Sequence, residues 1–146
     1  MQLEPVEIAD ARDLLTASEV AIVRETLQYC AVSPFHPCEA YPEWPGQTTG
    51  PDDNPAYRGV RELFVALGLD AKRFDSPSWD PLGDMISPGD TVVLKPNFVN
   101  DFNLGVEGTA DTDSLITHGS ILRVVLDYVG KALQNSGRVL LCDCPI

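Results

Sequence analysis

Apolar residues fall at helical spacing in two stretches of the chain and run consecutively in three others. Tyr57, Val60, Phe64 and Leu67 repeat every three to four positions, which predicts an amphipathic helix over 55–67. Asn54 can cap its first turn, Pro55 is tolerated at the first helical position, and Gly68 suits a left-handed stop. Leu122, Leu126, Val129 and Leu133 mark one face of a second helix over 119–135, widened by Ile121 and Val125. Arg123, Asp127 and Lys131 form its polar stripe, and Gly137 its stop. The runs at 20–23, 91–94 and 139–142 are rich in β-branched residues and read as buried strands. In the second half the order is strand, long loop, helix, glycine turn, strand. That is the order of a βαβ unit, so the expected fold class is α/β, with a Rossmann-like unit of parallel strands covered on both faces.

Between these elements lie two irregular stretches. Residues 33–55 hold six of the 12 prolines, interleaved with Phe35, Tyr41 and Trp44. Proline removes main-chain donors, so this segment cannot be regular, and its aromatics predict an ordered strap over the core or a lid over a cleft. Turn chemistry at Ser76-Pro77, Asp80-Pro81 and Ser87-Pro88-Gly89-Asp90 makes 70–90 irregular too.

Charge narrows the function classes. The 146 residues carry 10 Lys+Arg against 22 Asp+Glu, a net charge of −12, and no basic cluster exceeds the pair Lys72-Arg73. Nucleic acid and anionic membrane surfaces are therefore poor partners. A hydrophobic content of 44% and this length are those of a single globular domain. No apolar run is long enough to span a bilayer, and the start of the sequence is acidic where a secretory signal is basic, so cytoplasmic residence is expected. Cys30, Cys38, Cys142 and Cys144 match neither a zinc ribbon nor a redox Cys-x-x-Cys pair and are expected to be reduced and mostly structural.

In open α/β sheets, ligands sit beyond the carboxyl ends of the strands. That rule selects Lys95 and Asn97 after the second strand run, Thr117 and His118 before the second helix, and Asp143 after the third run. Lys95, Asn97 and Thr117 are the candidate ligand-binding residues, suited to an anionic or polyoxygenated small molecule. His118 and Asp143 are the candidate catalytic pair, with acid/base or metal-binding roles. Each has a plainer alternative: His118 can simply cap the helix, Lys95 can pair with the acidic loop, and Asn97 can serve a turn. The loop between Asn100 and Ser114 carries Asp101, Glu107, Asp111 and Asp113; with His118, Asp111 and Asp113 are candidate ligands for Mg²⁺, Mn²⁺ or iron, although no spacing is diagnostic and a solvated loop is the alternative.

The run from Gly89 to Asn97, ending Lys95-Pro96-Asn97, then Thr117-His118 before an apolar helix, then a strand ending Asp143-Cys144-Pro145, resembles the family catalogued as domain of unknown function 362. Tyr41-Pro42-Glu43 and the segment Leu67-Gly68-Leu69-Asp70 resemble its longer bacterial members, so the likeness spans about residues 34–146. The resemblance implies an α/β domain of bacterial or archaeal type and no settled activity. Some relatives append iron–sulfur cysteine motifs; this sequence has none. Family domains continue past the Asp-x-Pro strand, so the chain is expected to be the N-terminal part of a larger domain, with the remainder or a partner chain covering the open sheet. Two functions follow. One is an enzyme fragment binding a small anionic or polyoxygenated molecule. The other is a non-catalytic interaction or assembly module using the acidic, aromatic and proline-rich front half.

Overall fold

The computed structural model describes residues 20–25, 28–98 and 116–143. Its regular elements are helix α1 (Pro55–Ala66), strand β1 (Thr91–Leu94), helix α2 (Gly119–Leu133) and strand β2 (Arg138–Leu141), with a short 3-10 turn at Ala71–Arg73.

Helix α1 begins and ends by local chemistry. The Asn54 side chain accepts a hydrogen bond from the Tyr57 amide at 3.1 Å, and its own amide group donates to the carbonyls of Phe35 and His36 at 2.9 and 3.2 Å. One buried side chain thus caps the helix and anchors the strap. At the other end the amides of Gly68 and Leu69 donate to the carbonyls of Val65 and Phe64, with Gly68 at a φ of 71°. This is the paired closure that a glycine in the left-handed region permits.

The proline-rich segment packs over the core as the strap. Tyr41 joins Tyr57, Trp79, Val124 and Tyr128 in the core, and Trp44 packs against them. Trp79 also pins the irregular stretch after α1, its indole N–H donating to the Leu69 carbonyl at 3.0 Å.

Strands β1 and β2 pair in parallel, Val92 opposite Val139 and Val93 opposite Leu140, with α2 between them in the chain. Mixed α/β character and a βαβ-like order are therefore present. One expectation needs correction. The run at 20–23 forms no strand: Val20 and Ile22 are 82% and 76% exposed, while Val23 and Glu25 lie against α1. A strand needs a hydrogen-bonded neighbour, and the sheet among the described residues holds β1 and β2 alone. Among the described residues the sheet is open, as expected: Val93 is 59% exposed and every residue of β2 is exposed.

The face that α2 buries also differs from the leucine pattern. Ser120, Val124, Tyr128 and Ala132 form the buried stripe, together with Val129 and Leu133, whereas Leu122 and Leu126 are only partly buried. The polar stripe is drawn inward because the strap needs it: Arg123 donates to the Pro34 carbonyl, and Lys131 donates to those of Glu43 and Pro77. The helix stops at Gln134 and Asn135, both left-handed, two residues before the expected stop at Gly137.

Candidate functional site

The ends of β1 and β2 meet the start of α2. Beyond β1, Lys95 places its Nζ 2.7 Å from Oδ1 of Asp143, which follows β2. The other carboxylate oxygen of Asp143 accepts the Phe98 amide at 2.6 Å. Asp143 is 6% exposed and Lys95 67%, so a fixed carboxylate holds a cation that faces solvent. Among the described residues the charged partner of Lys95 is thus Asp143, at the end of the neighbouring strand. The acidic loop named as its alternative partner, with Asp111 and Asp113, lies outside the described residues, as does Cys144.

Asn97 and Thr117 meet through the main chain. The Asn97 amide donates to Thr117 Oγ1 at 2.9 Å, and the Thr117 amide donates back to the Asn97 carbonyl at 2.8 Å. A bridge between Phe98 and Ile116 continues this clasp. The Thr117 hydroxyl therefore ties the loop after β1 to the lead-in of α2, and the clasp fixes the main chain that carries Asn97.

His118 caps α2. Its Nδ1 accepts the Ser120 amide at 3.2 Å and lies 2.9 Å from Ser120 Oγ. A ring nitrogen that accepts from an N–H carries no proton itself, so in this bonding pattern the ring hydrogen sits on Nε2. The ring stacks on Tyr29 at 4.3 Å and 9° and meets the edge of Phe35 at 5.3 Å. Gly119 makes room for that edge, since a Cβ there would lie 2.5 Å from a Phe35 ring carbon. Of the two roles open to His118 in the sequence, this geometry supplies the capping one. To take a proton or a metal at Nδ1, the ring would have to release the cap. Among the described residues no group of three or more His, Cys, Asp or Glu side chains is arranged to hold a metal ion.

Two polar networks escaped sequence reasoning. The first centres on Glu43, whose side chain is fully buried. It is gripped by Arg61 at 2.6 and 3.1 Å and by the Tyr128 hydroxyl at 2.7 Å. Arg61 lies within about 5 Å of the ring centres of Tyr41, Phe74 and Trp79. Burial opposes the guanidinium charge, and the bond and attraction to Glu43 outweigh it, so the pKa of Arg61 is raised. In the second network the Tyr57 hydroxyl donates to Asp127 at 2.9 Å, and Gln47 donates to both. Burial pushes the phenols of Tyr57 and Tyr128 far above their ordinary range. Breaking one partner out of a buried pair of this kind costs about 3–5 kcal/mol, against a total stability of about 5–15 kcal/mol. The Glu43 network therefore belongs to folding. The only signal of it in the sequence is an acid set between the aromatic residues Tyr41 and Trp44.

No family model, no curated protein and no solved structure matches the chain. No helix among the described residues is long and apolar enough to cross a membrane.

Proposed function

We propose that this chain is a small-molecule-binding α/β domain, Rossmann-like in plan and related to domain of unknown function 362, that takes an anionic or polyoxygenated ligand at the carboxyl rim of β1 and β2. The observation that carries this reading is the Lys95–Asp143 pair. An exposed ammonium tethered by a buried carboxylate is pre-oriented, so a carboxylate or phosphate meets it without ordering a free lysine first. Thr117 supports the reading by fixing the loop that carries Asn97. His118 holds the N-terminus of α2 beside that loop, and its Nε2 hydrogen is the group it has to offer a ligand.

Titration calorimetry with inorganic phosphate and with citrate tests this. A charge-assisted hydrogen bond is worth about 1.5–3 kcal/mol, so Lys95→Met should weaken binding about tenfold or more. Asp143→Asn should weaken it less, by loosening the tether. The reading fails if the unaltered protein binds neither anion, or if Lys95→Met binds both as well as the unaltered protein does.

The open sheet favours a second reading, an assembly module. Val93, Leu140 and Leu141 are exposed together at the sheet, whereas Tyr41 of the aromatic strap is buried and Trp44 packs on the core. Sedimentation at high protein concentration decides this alternative, and a monomer excludes self-assembly.

A further inference from the structure

A cleft of about 210 Å³ lies between segment 20–25 and α1. Its apolar wall is formed by Val23, Val60, Leu63 and Ile121. A second cleft of about 200 Å³ adjoins it, for Gln28, Tyr29 and Pro55 line both. The second is bounded by Asp52 and Asp53. The two make one groove with an apolar end and an acidic end.

Its walls are held in place by contacts of their own. Tyr29 is stacked on His118. Segment 20–25 approaches α1 at Gly59, where a Cβ would lie 3.1 Å from the Glu25 side chain. Arg58 is bound to Glu25 at 2.8 and 3.0 Å and to Asp53 at 3.1 Å. Around the groove Arg58 binds Glu25 and Asp53, and Asp52 adds a third carboxylate, within a chain of net charge −12.

We propose that this groove binds a small organic cation with an apolar body, an alkyl or arylalkyl amine. The body lies against Val60, Leu63 and Ile121, and the ammonium lies toward Asp52 and Asp53. Charge complementarity sets the sign of the ligand, because an anion of the same shape meets an excess of carboxylates. Size sets its class, since each end has room for about one ring or a short aliphatic chain, too little for a folded segment.

Three probes of one shape decide it on the full chain: 2-phenylethylammonium, 3-phenylpropionate and 2-phenylethanol, each followed by amide chemical shifts in a ¹⁵N-labelled sample. The ammonium should give saturable shifts at Tyr29, Ala56, Gly59, Val60 and Ile121, and the carboxylate none there. An exposed charge contact is worth about 0.2–1 kcal/mol, so Asp53→Asn should weaken the ammonium about 1.4- to fivefold while leaving the alcohol unchanged. Ala56→Leu, which fills the groove from within a helix, should abolish binding of all three. Equal binding of ammonium and carboxylate, shifts centred elsewhere, or no saturation overturns the proposal. Should Ala56→Leu melt early, the probe series on the unaltered chain still decides. Lys95 and Asp143 do not line this groove, so failure here leaves the rim reading standing and the reverse also holds.

Discussion

Asp80 is partly buried, and one of its carboxylate oxygens, Oδ1, is buried without a hydrogen-bond partner. Burial raises its pKa above the ordinary carboxylate value, although Lys131 and Arg73 pull the other way. A raised pKa means that the folded state favours the protonated form. The stability linked to this group is therefore present at low pH and lost as pH rises through the raised value. Asp80→Asn should accordingly raise the melting temperature near neutral pH, and the gain should shrink as pH falls below the carboxylate range. Melting curves across pH check this, and a gain that persists in acid would contradict it. Glu43 is the contrasting case, buried more deeply and yet bonded at both oxygens. Its partners were illegible in the sequence because they stand 18 and 85 positions away on two helices. The meeting of Lys95 with Asp143 was legible, since any two parallel neighbours bring their carboxyl ends together.

Gly137 shows why the turn from α2 into β2 admits one residue type. Its φ is 131°, and a Cβ there would stand 2.5 Å from the Asp90 carbonyl oxygen. Gly137→Ala should cost about 1–3 kcal/mol through the backbone alone, with the contact adding to it. Gly130, in α2 with nothing within 4 Å of its missing Cβ, should behave oppositely. Gly130→Ala should stabilise the helix by about 0.5–1 kcal/mol. Chemical denaturation of the two variants side by side measures both, and a Gly137→Ala protein as stable as the parent would refute the turn geometry. The helix starts were readable in advance because caps act within three residues, as at Asn54 and His118. The buried face of α2 was not. Its leucines suggest one stripe, but the aromatic strap claims Tyr128 and draws Asp127 and Lys131 inward, an influence from 80 or more residues away. The run at 20–23 misled for a related reason, since composition records the taste for a strand and says nothing of whether a neighbour is there to pair with it.

Within the described residues the interior lies where the strap, α1 and α2 meet. Tyr41 stacks on Tyr57, while Trp44, Phe64 and Trp79 surround Tyr128. Residues at least 70 positions apart are bonded there, Tyr57 to Asp127 and Glu43 to Tyr128. The sheet is peripheral by comparison, two strands thick with β2 exposed along its length. In a wide α/β sheet the strands are the last part to admit solvent. Among the described residues the order is reversed here, because the main-chain groups along the open strand edge have only the neighbouring strand to shelter them. Deuterium should enter β2 first and the amides of Val124 to Val129 last, a sequence that exchange followed by mass spectrometry resolves. Slow exchange throughout β2 would mean that something shields it in solution. The opening that exposes this edge would then leave the aromatic centre closed, so the molecule should begin to yield at its strands while its helices still hold.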